Sequence, residues 1–373
     1  PCSPPSSDRR AIPPAVTAVH ATSAAEVLPP ELESYFAERA EAVDRSTADA
    51  RDGLRKLADH GLLAHSELAT NCAVIEGVAR HCLASAFSAW THTMVAEYLS
   101  LSGSPALRAE APRLRRAELI GSTAMAPAMK HLVGLSDLGV TFWRDRECYV
   151  VDGTVRWASN LFAEGFLVVV GAEGPCSTRA VLAIASDTPG VQAGAPLELL
   201  ALGATCSSSL RFDNVALDPS RVVSRDFEPF LRAIKPRLLL LQSSFCVGLA
   251  RAALEGAQAG LGRGSSVFES EHDRLCADLD VLRTRHRRLV EHPGPTRAVV
   301  AHRLEVARLA QLAVDVELRI TGGSGYLASS STARRLREAA FLPIQSPTEG
   351  HLRFELETPG SNEVPTPVGS TIR

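Results

Sequence analysis

The sequence predicts an α+β protein built in three successive parts. These are an N-terminal α-helical domain (residues 30–132), a middle antiparallel β-barrel domain (133–225) and a C-terminal four-helix bundle (226–355). Three observations predict it. Up to about Lys130, apolar residues recur at spacings of three and four, the period of one helix face. The chain then changes to short runs rich in Val, Tyr, Trp and Phe, bounded by Gly, Pro or Asp, as strands are. From about Phe227 the helical period returns, in four segments with short connections.

Each part is justified by its own residues. Residues 1–29 are rich in Pro, Ser and Ala and read as a flexible arm. "LESYFAERAEAVDRSTADARDGLRKLADHGLLA" carries Leu and Ala on a helical period that stops at Gly61. "CAVIEGVARHCLASAFSAWTHTMVAEYLSLSG" is a long apolar helical stretch that should be buried in a bundle. "GVTFWRD", "ECYVVDGTVRWASN", "GFLVVVGAEG", "RAVLAIASDTPG" and "SSSLRFDNVAL" read as strands. Asp152-Gly153 signals a two-residue hairpin turn, because a type I′ turn needs positive φ. "LRAIKPRLLLLQSSFCVGLARAALEGAQAGL" reads as one long helix or two. "HDRLCADLDVLRTRHRRLVEH", "TRAVVAHRLEVARLAQLAVDVELRITGG" and "SSTARRLREAAF" supply the other bundle helices. Beyond them, "FLPIQSPTEG" forms a stiff, turned loop in which Pro343 and Pro347 prevent one regular helix. Residues 356–373 read as a flexible tail.

The bulk numbers narrow the function. The 373 residues are 45% hydrophobic and 22% charged, with a net charge of −3. That charge points to neither a nucleic-acid nor an anionic-membrane partner. The one basic run, "RTRHRR" (283–288), reads as a solvated helix face. The eight cysteines include no C-x-x-C pair, so neither a metal site nor a disulfide framework is expected. "PRLLLLQSSFCVGLARAAL" contains Arg, Gln and Ser and fits a buried helix better than a membrane span. No apolar h-region opens the sequence, and a reduced, cytoplasmic setting is the expectation.

Three local signatures add a resemblance. "YVVDGTVRWASN" (149–160) looks like a strand-turn-strand that ends in Trp and a hydroxyl residue. "GGSGYL" (322–327) is followed by the helix "RRLREAAF", and "LGATCSSSLRFDNVAL" (202–217) looks like a last barrel strand. In this order, over most of residues 35–353, they resemble the acyl-CoA dehydrogenase superfamily of flavoproteins. The resemblance implies FAD, with FMN or reduced flavin as other forms of the cofactor. It implies that Trp157 packs beside the flavin ring and that the Ser159 hydroxyl reaches N5 or O4. It places Thr123 and Ala124 at the flavin pyrimidine, and Thr348 at a further flavin contact. Gly322 and Gly323 would face the adenosine half across a subunit boundary, in a homodimer or homotetramer. Arg263 would meet the pyrophosphate, although here the segment "GLGRGSSVFESEHDRL" departs from the family's Arg-x-x-Phe-Gly spacing.

A second departure bears on chemistry. Dehydrogenases of the family carry a Glu in the loop after the Arg-Arg helix, and that Glu removes the α-proton of an acyl thioester. Here "QSPT" (345–348) aligns with that motif and Ser346 takes the place of the Glu. A neutral Ser is no general base near pH 7. Glu349, three residues on, is the candidate for a displaced base. The first reading is therefore an acyl-CoA dehydrogenase-like oxidoreductase acting on the CH–CH group of a CoA- or carrier-bound acyl thioester. The second is a monooxygenase of the same fold that takes reduced flavin from a flavin reductase. There His92 or Ser159 would steady the activated oxygen, with His351 as a further candidate. The third is a non-catalytic flavin- or partner-binding member.

Overall fold

A computed structural model describes residues 28–63 and 67–358. Five helices come first: α1 (Pro30–Asp44), α2 (Ala50–Asp59), α3 (Leu68–His81), α4 (Leu83–Ser100) and α5 (Pro105–Arg115). Helix α4 is buried along almost its whole length, as its all-round apolar sequence requires. The strands are β1 (Gly121–Ala124), β2 (Val140–Asp145), β3 (Cys148–Ala158), β4 (Leu167–Glu173), β5 (Arg179–Ala185), β6 (Val191–Ala193), β7 (Ser208–Leu217) and β8 (Val222–Ser224). A short helix, α6 (Ala126–His131), separates β1 from β2. The bundle helices are α7 (Phe227–Gly260), α8 (Glu269–Glu291), α9 (Thr296–Thr321) and α10 (Ser331–Phe341). A further helix, α11 (Glu349–Glu357), follows the loop.

The sheet runs in the order β6-β7-β3-β2-β4-β5-β8, with β1 pairing β4 in parallel. It is therefore mixed rather than purely antiparallel, since β2 also meets β4 in parallel. Strand β1 falls in a region whose sequence reads as helical. Four residues, "GSTA", are too few to show a period. β4 explains its own composition. Leu167 and Val169 face the helical core, while Val168 and Val170 face the core of the sheet. A strand buried on both faces reads as a continuous apolar run.

Asp152-Gly153 is not a hairpin turn. β3 continues through it, and the turn between β2 and β3 lies at Arg146 and Glu147. Gly153 has φ +131°, and a Cβ there would stand 2.4 Å from the Gly139 carbonyl oxygen. The pairing of β3 with β7 shifts register at this point. The glycine thus marks a bulge where two backbones meet closely, which the same dipeptide signals less often than a turn.

Helix α7 is a single helix of 34 residues despite Pro236. It is long and apolar enough to cross a membrane, but 89% of its most apolar window is packed inside the protein. The basic run on α8 is exposed except at His286, which points inward, and at half-buried Arg283, which pairs with Glu76 at 3.1 Å. Of the arm, Leu28 is buried in the helical core, and residues 1–27 lie outside the described residues. Helix α11 extends two residues into the segment read as a tail, and residues 359–373 lie outside the description.

Candidate active site

Helix α4, the β1–α6 segment, the end of β3, the loop before β7, α7 and the α10–α11 loop enclose a cavity of about 450 Å³. Its walls are mainly apolar. From α4 come Phe87 and Trp90, stacked with ring centroids 5.4 Å apart. Met125 and Met129 come from β1–α6, and Leu199 and Leu200 from the loop before β7. Trp157 is 57% exposed and Leu200 is 70% exposed, although both line this cavity. Two large uncovered apolar side chains on one wall form a face that a planar ligand would cover.

The strand period brings the resemblance's residues together. Thr123 lines the cavity, and Trp157 and Ser159, two residues apart on β3 and its end, point the same way. The Ala124 side chain is buried in the core of the sheet, on the opposite face of β1, and the group the resemblance calls on there is its backbone amide. The next residue, Asn160, is fully buried at φ +61°. Its side-chain amide donates to the Ser88 carbonyl at 3.0 Å and the Gly121 carbonyl at 3.1 Å, and accepts from the Ser88 hydroxyl at 2.7 Å. Asn160 so ties α4, β1 and β3 together behind the wall. Asn tolerates the left-handed conformation better than other side chains, which suits it to this corner.

The α10–α11 loop forms the opposite wall. Buried Arg303 of α9 donates to the Gln345 side-chain oxygen at 3.0 Å and the Leu342 carbonyl at 3.2 Å. Gln242 of α7 donates to the Ser346 carbonyl at 2.9 Å. These bonds hold Gln345, Ser346 and Thr348 at the cavity. Three buried polar atoms of the wall lack a hydrogen-bond partner: Thr91 Oγ1, Gln345 Nε2 and Ser346 Oγ. Thr348 caps α11, its hydroxyl accepting from the His351 amide at 3.3 Å.

Among the described residues no Asp, Glu or His lines the cavity. Glu349 lies outside it, in an ion pair of 2.7 Å with Arg353 on the surface of α11. It is not placed as a base for this cavity, because α11 begins there and turns its first carboxylate away. His92 is also outside. Its Nδ1 accepts from the Gly121 amide at 3.0 Å, so Nε2 carries the proton and donates to the Leu114 carbonyl at 2.8 Å. Burial pushes its pKa down to about 4. His92 is thus a neutral core residue that positions β1. His351 is buried 2.7 Å from Glu355, away from the cavity. The cations at the cavity are Lys130 and Arg337, and Arg337 pairs with Asp44.

Arg263, Gly322 and Gly323 do not join this cavity. They follow the C-terminal ends of α7 and α9, which meet where Gly260 packs on Ile320. Leu238 lines the cavity, and from there to Gly260 α7 rises roughly 33 Å. Gly322 ends α9 at φ +59°, a conformation that glycine adopts without strain. Near it Val267 and Tyr326 are 80% and 76% exposed.

No signature in the sequence marks Thr91, Met125, Leu200 or Arg337 as cavity residues. Each comes from a different segment, and only the packing brings them to one wall.

The cavity fits an isoalloxazine ring: an apolar wall at Trp157 and Met125, with the Thr123 and Ser159 hydroxyls at its edge. The architecture as a whole defines a class. The chain has the acyl-CoA dehydrogenase fold, and its sequence resembles that superfamily. No family model matches the chain. It is similar to a probable acyl-CoA dehydrogenase, YngJ, of Bacillus subtilis (strain 168), with 22% identity over 216 residues. That match covers 52% of this chain and 57% of the relative, so it spans little more than half of the relative's length. The structure is similar to a glutaryl-coenzyme A dehydrogenase in complex with glutaryl-CoA, with a TM-score of 0.78 and 16% identity over 87% of this chain and 92% of that one. It is equally similar to the methanesulfinate monooxygenase MsuC of Pseudomonas fluorescens, with a TM-score of 0.77 and 17% identity over 91% and 99% of the two chains.

Proposed function

We propose that this chain is a flavin-dependent oxidoreductase that uses reduced flavin and O2 to oxygenate a small, mainly apolar substrate. The observation that carries the reading is the absence of Asp, Glu and His from the described residues lining the cavity. Desaturation of an acyl thioester needs a group to take the α-proton, and a hydroxyl or an amide has no useful basicity near neutral pH. Oxygen transfer from a reduced flavin needs no such carboxylate.

In this reading the cofactor supplies electrons and activates oxygen, and the chain binds, orients and excludes water. Trp157 covers one face of the ring, and Thr123 and Ser159 hold its polar edge. Phe87, Trp90 and Leu238 keep the substrate side dry. The unpartnered Thr91 hydroxyl and Gln345 amide offer hydrogen bonds to a polar group of the substrate. Arg263, past the end of α7, and Gly322–Gly323, past the end of α9, lie too far from the cavity of their own chain to serve it. They complete the cavity of a second copy in a homo-oligomer, beside the exposed Val267 and Tyr326. A flavin reductase is the partner that supplies the reduced cofactor.

The test is an anaerobic titration of the FAD-loaded protein with a panel of acyl-CoAs, followed through the visible flavin band. We expect no thioester to bleach it, and we expect reductase-dependent oxygen uptake with a substrate. Rapid bleaching by one thioester would overturn this reading in favour of direct dehydrogenation.

A further inference from the structure

Resting on the reading that the cavity holds a flavin, we propose that Thr205, Ser207 and Ser159 form a polarised hydroxyl relay. The relay makes Ser159 a hydrogen-bond acceptor toward the cavity, so that the site selects reduced over oxidised flavin.

A hydroxyl has one proton and two lone pairs, and a carbonyl can only accept. Thr205 Oγ1 lies 2.6 Å from the Leu202 carbonyl oxygen, so the proton of Thr205 is committed there. Thr205 Oγ1 also lies 2.9 Å from Ser207 Oγ. With the Thr205 proton taken, Ser207 must be the donor in that contact. Ser207 Oγ in turn lies 2.7 Å from Ser159 Oγ. Its own proton is committed to Thr205, so Ser159 must donate to Ser207. Direction passes from the Leu202 carbonyl along all three hydroxyls, and each bond polarises the next.

The relay is held at both ends. Thr205 is fully buried, and the Leu202 carbonyl accepts from its amide at 3.1 Å as well as from its hydroxyl. The Asn160 amide donates to the Thr205 carbonyl at 2.8 Å, which keeps the end of β3 beside this segment. Ser159 and Ser207 both line the cavity. What Ser159 presents there is a lone pair.

That polarity discriminates between the two forms of the cofactor. Oxidised flavin offers lone pairs at N5 and O4, and two acceptors facing each other make no hydrogen bond. Reduced flavin carries a proton on N5 and can donate to Ser159. To bind the oxidised ring, Ser159 must first give up its bond to Ser207. One net hydrogen bond of this kind is roughly a tenfold difference in affinity.

The experiment is an anaerobic calorimetric titration of the protein with FAD, once oxidised and once reduced by dithionite. The reduced form should bind roughly tenfold more tightly. Equivalently, the two-electron potential of bound FAD should lie ~30 mV above that of free FAD. Thr205→Val removes the acceptor that orients Ser207. Ser207 can then donate to Ser159, Ser159 can donate into the cavity, and the preference should vanish through tighter binding of oxidised FAD. Ser159→Ala should weaken the reduced form only, and it carries the test if Thr205→Val fails to fold. Equal binding of the two forms by the unaltered protein would overturn the relay and leave the flavin reading standing. A preference that survives both substitutions would also overturn it. Failure of both forms to bind would overturn the flavin reading and the relay with it.

Discussion

Replacement of Asn160 by Ala should be among the most damaging single changes in this protein. The side chain is fully buried and takes part in three hydrogen bonds, to the Ser88 and Gly121 carbonyls and from the Ser88 hydroxyl. Ala leaves the Gly121 carbonyl without this donor and the Ser88 hydroxyl without its acceptor. A buried polar group left unpaired costs ~1–3 kcal/mol. Asn160 also sits at φ +61°, where Ala carries a backbone penalty of ~1–2 kcal/mol. Partial relaxation and other partners trim the sum, and we expect about 3–5 kcal/mol. The assay is urea unfolding followed by far-ultraviolet circular dichroism. Asn160→Gly separates the contributions, because Gly loses the same bonds but adopts positive φ freely. It should be less destabilised than Ala by ~1 kcal/mol. Asn160→Asp should be worse than Gly at neutral pH, since it sets a carboxylate against two carbonyls. An Asn160→Ala protein within ~0.5 kcal/mol of the parent would refute the assignment of these bonds as the clamp behind the cavity wall.

Other outcomes follow from the same geometry. Trp157→Ala should weaken FAD binding roughly 5- to 150-fold in a fluorescence titration, since it removes most of an aromatic wall worth ~1–3 kcal/mol. Glu349→Gln should leave FAD affinity unchanged and stability within ~0.5 kcal/mol, because its ion pair with Arg353 is on the surface. His286 and His302, stacked 5.3 Å apart between α8 and α9, should make stability fall with acid. Burial, aided by Arg283, pushes His286 down to about 4, and burial, with His286 and nearby arginines, pushes His302 to about 3. In the unfolded chain both titrate near ~6.5, so stability is level above that pH and drops progressively as pH falls toward 4 and 3. His286→Gln should flatten that drop in unfolding midpoints measured across the range, and an unchanged slope would assign it to other groups such as His92.

The sequence makes some of this site legible and hides the rest for definite reasons. Trp157 and Ser159 lie close in sequence on one strand end, so a short motif captures them, and alternation puts them on one wall. Thr123 is captured in the same way, and the same alternation turns the side chain of its neighbour Ala124 to the other face. Asp152-Gly153 carries a true signal, a backbone that needs glycine, but the signal does not distinguish a turn from a bulge. The decisive contact, with Gly139, is made just ahead of β2, whose register is not written locally. His92 looks like a candidate acid–base group because its type is right. Only the positions of Leu114 and Gly121 reveal that both ring nitrogens are already taken. The relay of Thr205, Ser207 and Ser159 joins residues 48 apart in sequence across two chain segments. Its polarity rests on a backbone carbonyl, about which a sequence says nothing.

The parallel pairing of β1 with β4 has a consequence for how the molecule comes apart. β1 follows the N-terminal helices, is held at Gly121 by His92 of α4, and lies in register against Leu167–Val170. A strand from one segment is thus woven into the sheet of the next. A cut between residues 132 and 133 would strip β4 of a neighbour and leave β1, still tied to His92, without the strand it pairs with. The N-terminal helices and the sheet should therefore open as one cooperative unit. Amides of α4, β1 and β4 should then share a single opening free energy in native-state hydrogen exchange.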